Sequence, residues 1–313
     1  MSGYLLKGKW NTGWYDTSLT EGAFVRSSAK FRNWITADGS SGFKAETNRY
    51  HLYVSLACPW AHRTLLMRKF KQLEDVVSVS IVDPLMLDDG WMFSNSEGCI
   101  PDTVNQKSFL RDVYLLADPD FSGRVTVPVL WDKQRKTIVS NESADIVRML
   151  NLAFDNFTTV RHNFYPSDLA AEIDTINASV YENINNGVYR CGFAGTQASY
   201  DQAFDKLFTS LDELETLLEN RRWLTGERMT EADIRLFTTL IRFDVVYHGH
   251  FKCNLKRIAD YPQLSRFLRD MLAFPGVAET VNIEHIKRHY YQSHRHLNPS
   301  GIVPKGPQLT FTL

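Results

Sequence analysis

The chain has 313 residues, 35 Lys plus Arg against 36 Asp plus Glu, 43% hydrophobic residues and 12% aromatic ones. At roughly 150 residues per domain this length suggests about two domains, and the apolar content supplies a core and not a disordered chain. Near-neutral charge argues against a nucleic-acid partner, no apolar run approaches the ~20 residues of a membrane helix, and MSGYLLKGKWNTGW lacks the apolar stretch of a signal peptide.

Residues 1–48 place Trp10, Trp14, Tyr15 and Trp34 among Gly, Ser, Asn and Thr without sustained periodicity. They read as an extension packed on the fold, because such rings are costly to leave in water. Residues 49–157 follow a tighter pattern. The apolar, partly β-branched run 50–57 predicts a strand, and Cys58-Pro59 opens a helix to about residue 73, with proline favoured in the first turn. A second strand is expected over 76–82. Residues 83–124 form a long insertion containing Asp and Gly, the kind usually found as a lid or embellishment. Order returns with a strand over 125–131 that carries Pro128, a turn at 133–136, a paired strand at 137–139 and a helix over 142–151. Strand–helix–strand, then two strands and a helix, is the layout of a thioredoxin-like domain.

The boundary falls at 152–165, and residues 165–313 read as all-helical with a C-terminal extension. Ala203, Leu207, Leu211, Leu214 and Leu218 recur at helical spacing. Thr230-Glu231-Ala232-Asp233 has the form of a helix start, with Ile234, Phe237, Leu240 and Ile241 as the buried stripe, and Pro262 and Pro275 bracket another helix. The expected class is α/β plus all-α.

Four cysteines (Cys58, Cys99, Cys191 and Cys253) lie far apart with no C-x-x-C pair, which favours neither a zinc site nor a disulfide framework and suits a reducing cytoplasm. Cys58 sits where a strand ends and a helix begins, so free N–H groups and a partial positive charge surround its sulfur. Cysteines at helix N-termini are lowered from the ordinary ~8.5 to ~7.5 or below, where the nucleophilic thiolate is available; a small buried residue packing the strand end is the alternative. Ala61 stands where a dithiol motif needs its second cysteine. A disulfide formed at Cys58 must therefore be opened by an outside thiol, and glutathione is the abundant one.

Pro128 in T-V-P-V occupies the position that is usually cis in thioredoxin-like domains, exposing the backbone of Val127 to an extended peptide; a trans proline at a strand start is the alternative. Asn141-Glu142-Ser143 opens a helix whose N–H groups suit a carboxylate while Glu142 suits an α-ammonium, the two groups of a γ-glutamyl end; a plain helix cap is the alternative. His285, His289, His294 and His296 read as a partly exposed helix surface and not as a metal site, so no metal is expected. His62, Cys99, Cys191 and Cys253 read as structural.

C-P-W-A-H-R-T, T-V-P-V-L-W-D followed by I-V-S-N-E-S, and T-E-A-D-I-R-L resemble the xi-class glutathione transferases, also called glutathionyl-hydroquinone reductases. The likeness extends through F-R-N-W-I near the start and R-H-Y-Y-Q-S-H-R-H-L-N-P-S-G-I near the end. It implies the glutathione transferase fold, a thioredoxin-like domain followed by a helical bundle. It also implies Cys58 as the catalytic thiol, acting with Tyr189 and Tyr290, and a glutathione site of Trp91, Arg124, Val127, Glu142 and Ser143. Tyr189, Tyr247 and Tyr290 are implied as the tyrosines of the acceptor pocket. Glutathione is then a co-substrate, glutathionyl-hydroquinones are the aromatic substrates, and a homodimer is implied. The competing readings are a conjugating transferase, which needs a Ser or Tyr hydroxyl on the glutathione sulfur, and a non-catalytic interaction module on the same fold.

Overall fold

The computed structural model describes residues 3–312. Strands β1 (Gly3–Leu6), β2 (Lys9–Thr12), β3 (Ile35–Thr36), β4 (Phe43–Lys44) and β5 (Tyr50–Val54) precede helix α1 (Pro59–Phe70). Strand β6 (Ser78–Ile81), helix α2 (Leu110–Ala117), strands β7 (Gly123–Arg124), β8 (Val129–Asp132) and β9 (Thr137–Ser140), and helix α3 (Ser143–Leu152) follow. The remaining helices are α4 (Ala170–Ser179), α5 (Gly187–Gly192), α6 (Gln197–Leu217), α7 (Glu231–Arg242), α8 (His248–His250), α9 (Pro262–Leu272) and α10 (Ile283–Arg288). The chain divides into two compact units. One holds Ser27–His162, the N-terminal segment through Trp14, and Asn282–Ile302; the other holds Tyr15–Arg26, Asn163–Val281 and the residues from Val303.

In the first unit the main sheet runs β6-β5-β8-β9, with β5 parallel to β6 and the other pairs antiparallel. This is the thioredoxin-like arrangement. All five residues of β5 are buried, as a central strand covered on both faces requires. The strand expected over 125–131 is shortened. Residues 125–128 lie outside the sheet and the ladder begins only at Val129, because Pro128 has no N–H to give, while β7, just ahead of the expected strand, pairs with β1; the Val127–Pro128 bond is cis.

The N-terminal extension begins as a hairpin, with Leu6 opposite Lys9 and the turn residues Lys7 and Gly8 both at positive φ. Glycine is required in that turn, since a Cβ on Gly8 would stand 2.1 Å from the Pro119 carbonyl oxygen. The insertion contains α2, which the sequence pattern did not indicate. Two carboxylates organise the rest of it. Asp102 accepts from the Tyr53 hydroxyl at 2.9 Å and from the backbone N–H groups of Val104, Asn105 and Lys107. Asp83 accepts from the N–H of Leu85 and from the hydroxyls of Ser94 and Ser96. A segment with little regular structure thereby pairs its backbone donors.

The second unit is helical, and α7 is buried along its whole length. Its start is closed by a capping box in which the Asp233 carboxylate accepts from Thr230 N–H at 2.7 Å, while its other oxygen takes Leu224 N–H at 2.8 Å. Asp233→Ala strands both donors in the core, and the expected loss is about 2–4 kcal/mol in urea unfolding of the full chain.

His51 on β5 is buried between the hydroxyls of Ser78 and Ser80, at 2.7 and 2.9 Å, and burial lowers its pKa from the ordinary 6.5 to about 4. In that window the unfolded chain binds a proton that the fold excludes, so this contribution to stability is complete above 6.5 and is lost as pH falls towards 4. The slope of stability against pH between 7 and 5 is accordingly expected to be shallower in His51→Gln than in wild type, although the variant is less stable overall.

Candidate active site

Between β5 and α1 the chain turns through Ser55–Ala57, where Cys58 N–H donates to the Ser55 carbonyl at 3.2 Å. Cys58 is the cap of α1, with extended backbone (φ −79°, ψ 121°), and its carbonyl accepts the first helical bond from His62 N–H at 3.0 Å. Its side chain makes no capping bond, and the first turn of α1 contains no acidic residue. The positive end of the helix is therefore not neutralised by a first-turn carboxylate, a setting that favours negative charge on sulfur. Sγ is half-buried and lies 3.6 Å from the Val127 carbonyl oxygen, immediately before the cis Pro128. As a thiol, Cys58 donates to that carbonyl; as a thiolate it cannot, which leaves the oxygen for a ligand N–H. Ala61 and His62 are fully buried in α1.

Glu142 caps α3. One carboxylate oxygen accepts from Ala144 N–H at 3.1 Å and from the Ser143 hydroxyl at 3.5 Å. The plain cap is thus present, on a half-buried carboxylate with a second oxygen to offer. Trp91 is buried and stacks on His289, with ring centroids 4.8 Å apart and planes at 19°. Arg124, on β7, donates to the carbonyls of Gly13 at 2.8 Å and Gly3 at 3.4 Å, and its guanidinium lies over the Tyr4 ring. This arginine therefore tethers the N-terminal segment.

Tyr290 belongs to the same unit as Cys58 and is 1% exposed, edge-on to His289 and His294 at 5.2 and 5.4 Å. The histidines of this region depart from the expected exposed surface, since His285, His289 and His294 are all buried. His289 Nδ1–H donates to the Pro84 carbonyl at 2.9 Å, His285 Nε2–H to the Glu97 carbonyl at 2.7 Å, and Ser293 Oγ accepts from Met86 N–H at 3.0 Å. Their work is to fasten Asn282–Ile302 to the insertion. Among the described residues no group of three or more His, Cys, Asp or Glu is placed to hold a metal.

In the helical unit Tyr189 and Tyr247 come together. Their ring centroids are 6.0 Å apart, and Phe251 lies 5.5 Å from each. The Arg26 guanidinium sits 4.9 Å over the Tyr189 ring. Tyr247 and Tyr290 lie in the π-helical turns Phe243–Tyr247 and His289–Ser293, and Tyr189 follows a third, Val180–Asn185. Such turns are rare and concentrate at functional sites. Sequence reasoning missed Tyr114 and Asn141, whose side chains meet one residue away from Glu142 and close to Val127. Their signal was faint: an aromatic on the apolar face of α2, and the residue just ahead of the E-S pair.

Residues 57–153 match the family described as glutathione S-transferase, N-terminal domain, and residues 197–270 match glutathione S-transferase, C-terminal domain. The chain is 56% identical over 312 residues to the glutathionyl-hydroquinone reductase YqjG of Escherichia coli K12, spanning 97% of this chain and 95% of that one. It is 52% identical over 305 residues to the glutathionyl-hydroquinone reductase PcpF of Sphingobium chlorophenolicum, spanning 97% and 96%. Among solved structures it is similar to glutathione-bound YqjG, with a TM-score of 0.91 and 53% identity across 98% of this chain and 96% of that one. A xi-class enzyme of Natrialba magadii gives a TM-score of 0.92 at 47% identity, across 98% and 94%.

The four thiols differ in setting. Cys58 is half-buried at a helix start, Cys99 is half-buried with its thiol pushed up by burial, and Cys191 and Cys253 are buried. Brief iodoacetamide treatment at neutral pH, mapped by peptide mass spectrometry, is expected to label Cys58 well ahead of Cys99 and to spare the other two until denaturant is added. Equal labelling of Cys58 and Cys99 removes the argument for an activated sulfur.

Proposed function

Since the chain belongs to the glutathione transferase family, in its xi class of glutathionyl-hydroquinone reductases, we propose that it reduces glutathionyl-hydroquinones through a Cys58–glutathione mixed disulfide. The observation that carries this route is one sulfur at the start of α1 with Ala61, not a second cysteine, one turn further on. A thioether carbon is ordinarily a poor leaving group. A hydroquinone escapes that limit by tautomerising to a ketone at the carbon that bears sulfur.

Attack by the Cys58 thiolate on the glutathionyl sulfur then forms the S–S bond. The C–S electron pair passes into the ring, and the departing enolate is the aromatic hydroquinone once its oxygen takes a proton. A second glutathione thiolate attacks the glutathionyl sulfur of the mixed disulfide, forming oxidised glutathione and returning Cys58 as thiolate. The two glutathione sulfurs are oxidised by two electrons, and the aryl carbon exchanges sulfur for hydrogen.

In this reading the Val127 backbone pairs with the tripeptide, Glu142 and Ser143 receive its γ-glutamyl end, and Trp91 and Arg124 complete the glutathione site. Tyr189, Tyr247 and Tyr290 are assigned to the acceptor, with Tyr189 and Tyr290 hydrogen-bonding ring oxygens so as to favour the ketone. Conjugation is the weaker reading, because it asks for a hydroxyl at the glutathione sulfur where this chain has a thiol. Homodimeric assembly and residence in a reducing cytoplasm belong to the same proposal, the latter supported by four cysteines that are all free.

Cys58→Ala is expected to lower turnover of a glutathionyl-hydroquinone by on the order of a thousandfold or more. Mass spectrometry after incubation with oxidised glutathione is expected to find one glutathionyl group, on Cys58, removable by glutathione. Full turnover by the alanine variant rules the route out.

A further inference from the structure

Of the insertion, Trp91 and Arg124 already have a part in the proposed glutathione site, and its helix α2 sends a further side chain between two stretches of chain that build that site. Tyr114 is fully buried, with Phe31 and Phe121 edge-on to its ring at 6.0 and 5.1 Å. Its hydroxyl donates to the Thr126 carbonyl at 2.8 Å. The same oxygen accepts from the Asn141 side-chain amide at 3.1 Å and from Thr126 N–H at 3.3 Å, and Thr126 Oγ1 lies 3.4 Å away. Thr126 immediately precedes Val127, and Asn141 immediately precedes Glu142.

One phenol oxygen therefore joins the two stretches of chain on which the proposed peptide contact and the proposed γ-glutamyl contact are built. Asn141 passes the connection on. Its N–H donates to the Phe31 carbonyl at 3.2 Å and its side-chain oxygen accepts from Phe31 N–H at 3.1 Å. Among the described residues no other side chain hydrogen-bonds to both Thr126 and Asn141.

We propose that Tyr114 is a positioning residue for glutathione, fixing the spacing between the Val127 backbone and the Glu142–Ser143 helix start; the inference rests on the glutathione site proposed above. A phenol can donate once and accept twice, so it can satisfy groups from both stretches at once, which phenylalanine cannot. Removing the hydroxyl leaves the buried Asn141 amide and the half-buried Thr126 backbone without this partner, and the two stretches are then free to separate until water or each other satisfies them. A bound tripeptide that spans both must pull them back, so the cost appears in binding.

The test uses the full chain with Tyr114→Phe, which retains the ring, and Asn141→Ala, which removes one partner and leaves α2 untouched. Glu142→Ala serves as the reference for the site itself. Calorimetric titration with S-methylglutathione, which cannot form a disulfide, is expected to show affinity about tenfold weaker in Tyr114→Phe and weaker in the same direction in Asn141→Ala. In steady-state reduction of a glutathionyl-hydroquinone, KM for glutathione is expected to rise by a similar factor while kcat at saturation stays within about twofold.

A residue that only fills the core would lower the melting temperature and leave affinity and KM where they were. Unchanged affinity in Tyr114→Phe beside a clear loss in Glu142→Ala overturns the positioning role alone. Unchanged affinity in both overturns the site assignment and this inference with it. Should Tyr114→Phe fail to fold, unchanged affinity in Asn141→Ala overturns the inference.

Discussion

The proposed chemistry depends on a sulfur held at the start of a helix whose first turn carries no carboxylate. The backbone arranges this. Strand β5 is buried on all sides, so the chain can leave it only through the turn at Ser55–Ala57, and Pro59 fixes the next residue in helical geometry while giving up an N–H that had no use. Cys58 is left with an extended backbone and a side chain that does not cap the helix. A serine there would close the helix with its own oxygen. A thiol caps poorly, and the unspent positive end of α1 instead favours the thiolate.

A second constraint is that a four-stranded sheet supplies backbone to a peptide ligand but few side chains. In the proposed site the insertion and the segment Asn282–Ile302 supply those, and both need long-range order to do so. Asp83 and Asp102 gather the backbone donors of the insertion, and His285 and His289 fasten the later segment to it by carbonyl bonds. Trp91 stacked on His289 is where these two additions meet. The interactions are mostly buried, charge-assisted or to backbone, and so are worth more than surface pairs of the same residue types.

Much of the architecture was legible because it rests on local signals. The apolar, partly β-branched run of β5 marks a buried strand, and proline after Cys58, the Thr230–Asp233 box and the proline at the start of α9 each fix an element boundary by steric or capping rules. Signals that depend on distant partners were not legible. Helix α2 has eight residues and packs its Tyr114 against Phe121 and against Phe31, the latter far outside any local window. The N-terminal hairpin shows no periodicity because its edge partner is the two-residue β7, far away in sequence. The histidines near the C-terminal end looked like a polar helix face. Their carbonyl acceptors, on Pro84 and Glu97, lie about two hundred residues earlier. Of the candidate site, Cys58, Val127, Glu142 and Ser143 could be argued from chemistry at element junctions, whereas Trp91 and Arg124 required the family resemblance.

The tyrosines of the proposed acceptor site illustrate where a 3.6-residue periodicity fails. A π-helical turn carries one extra residue, and each extra residue rotates everything after it by about 100° around the helix axis. A stripe drawn at 3.6-residue spacing through Phe243–Tyr247 or His289–Ser293 therefore points the wrong way on one side of the turn. Ile234, Phe237, Leu240 and Ile241 are buried with the rest of α7, and the π-helical turn that sets Tyr247 follows directly. Such a turn gives up regular hydrogen bonding and in exchange resets the direction of the side chains that follow it, and it does so at Tyr247, at Tyr290 and four residues ahead of Tyr189, the three tyrosines proposed to meet the acceptor.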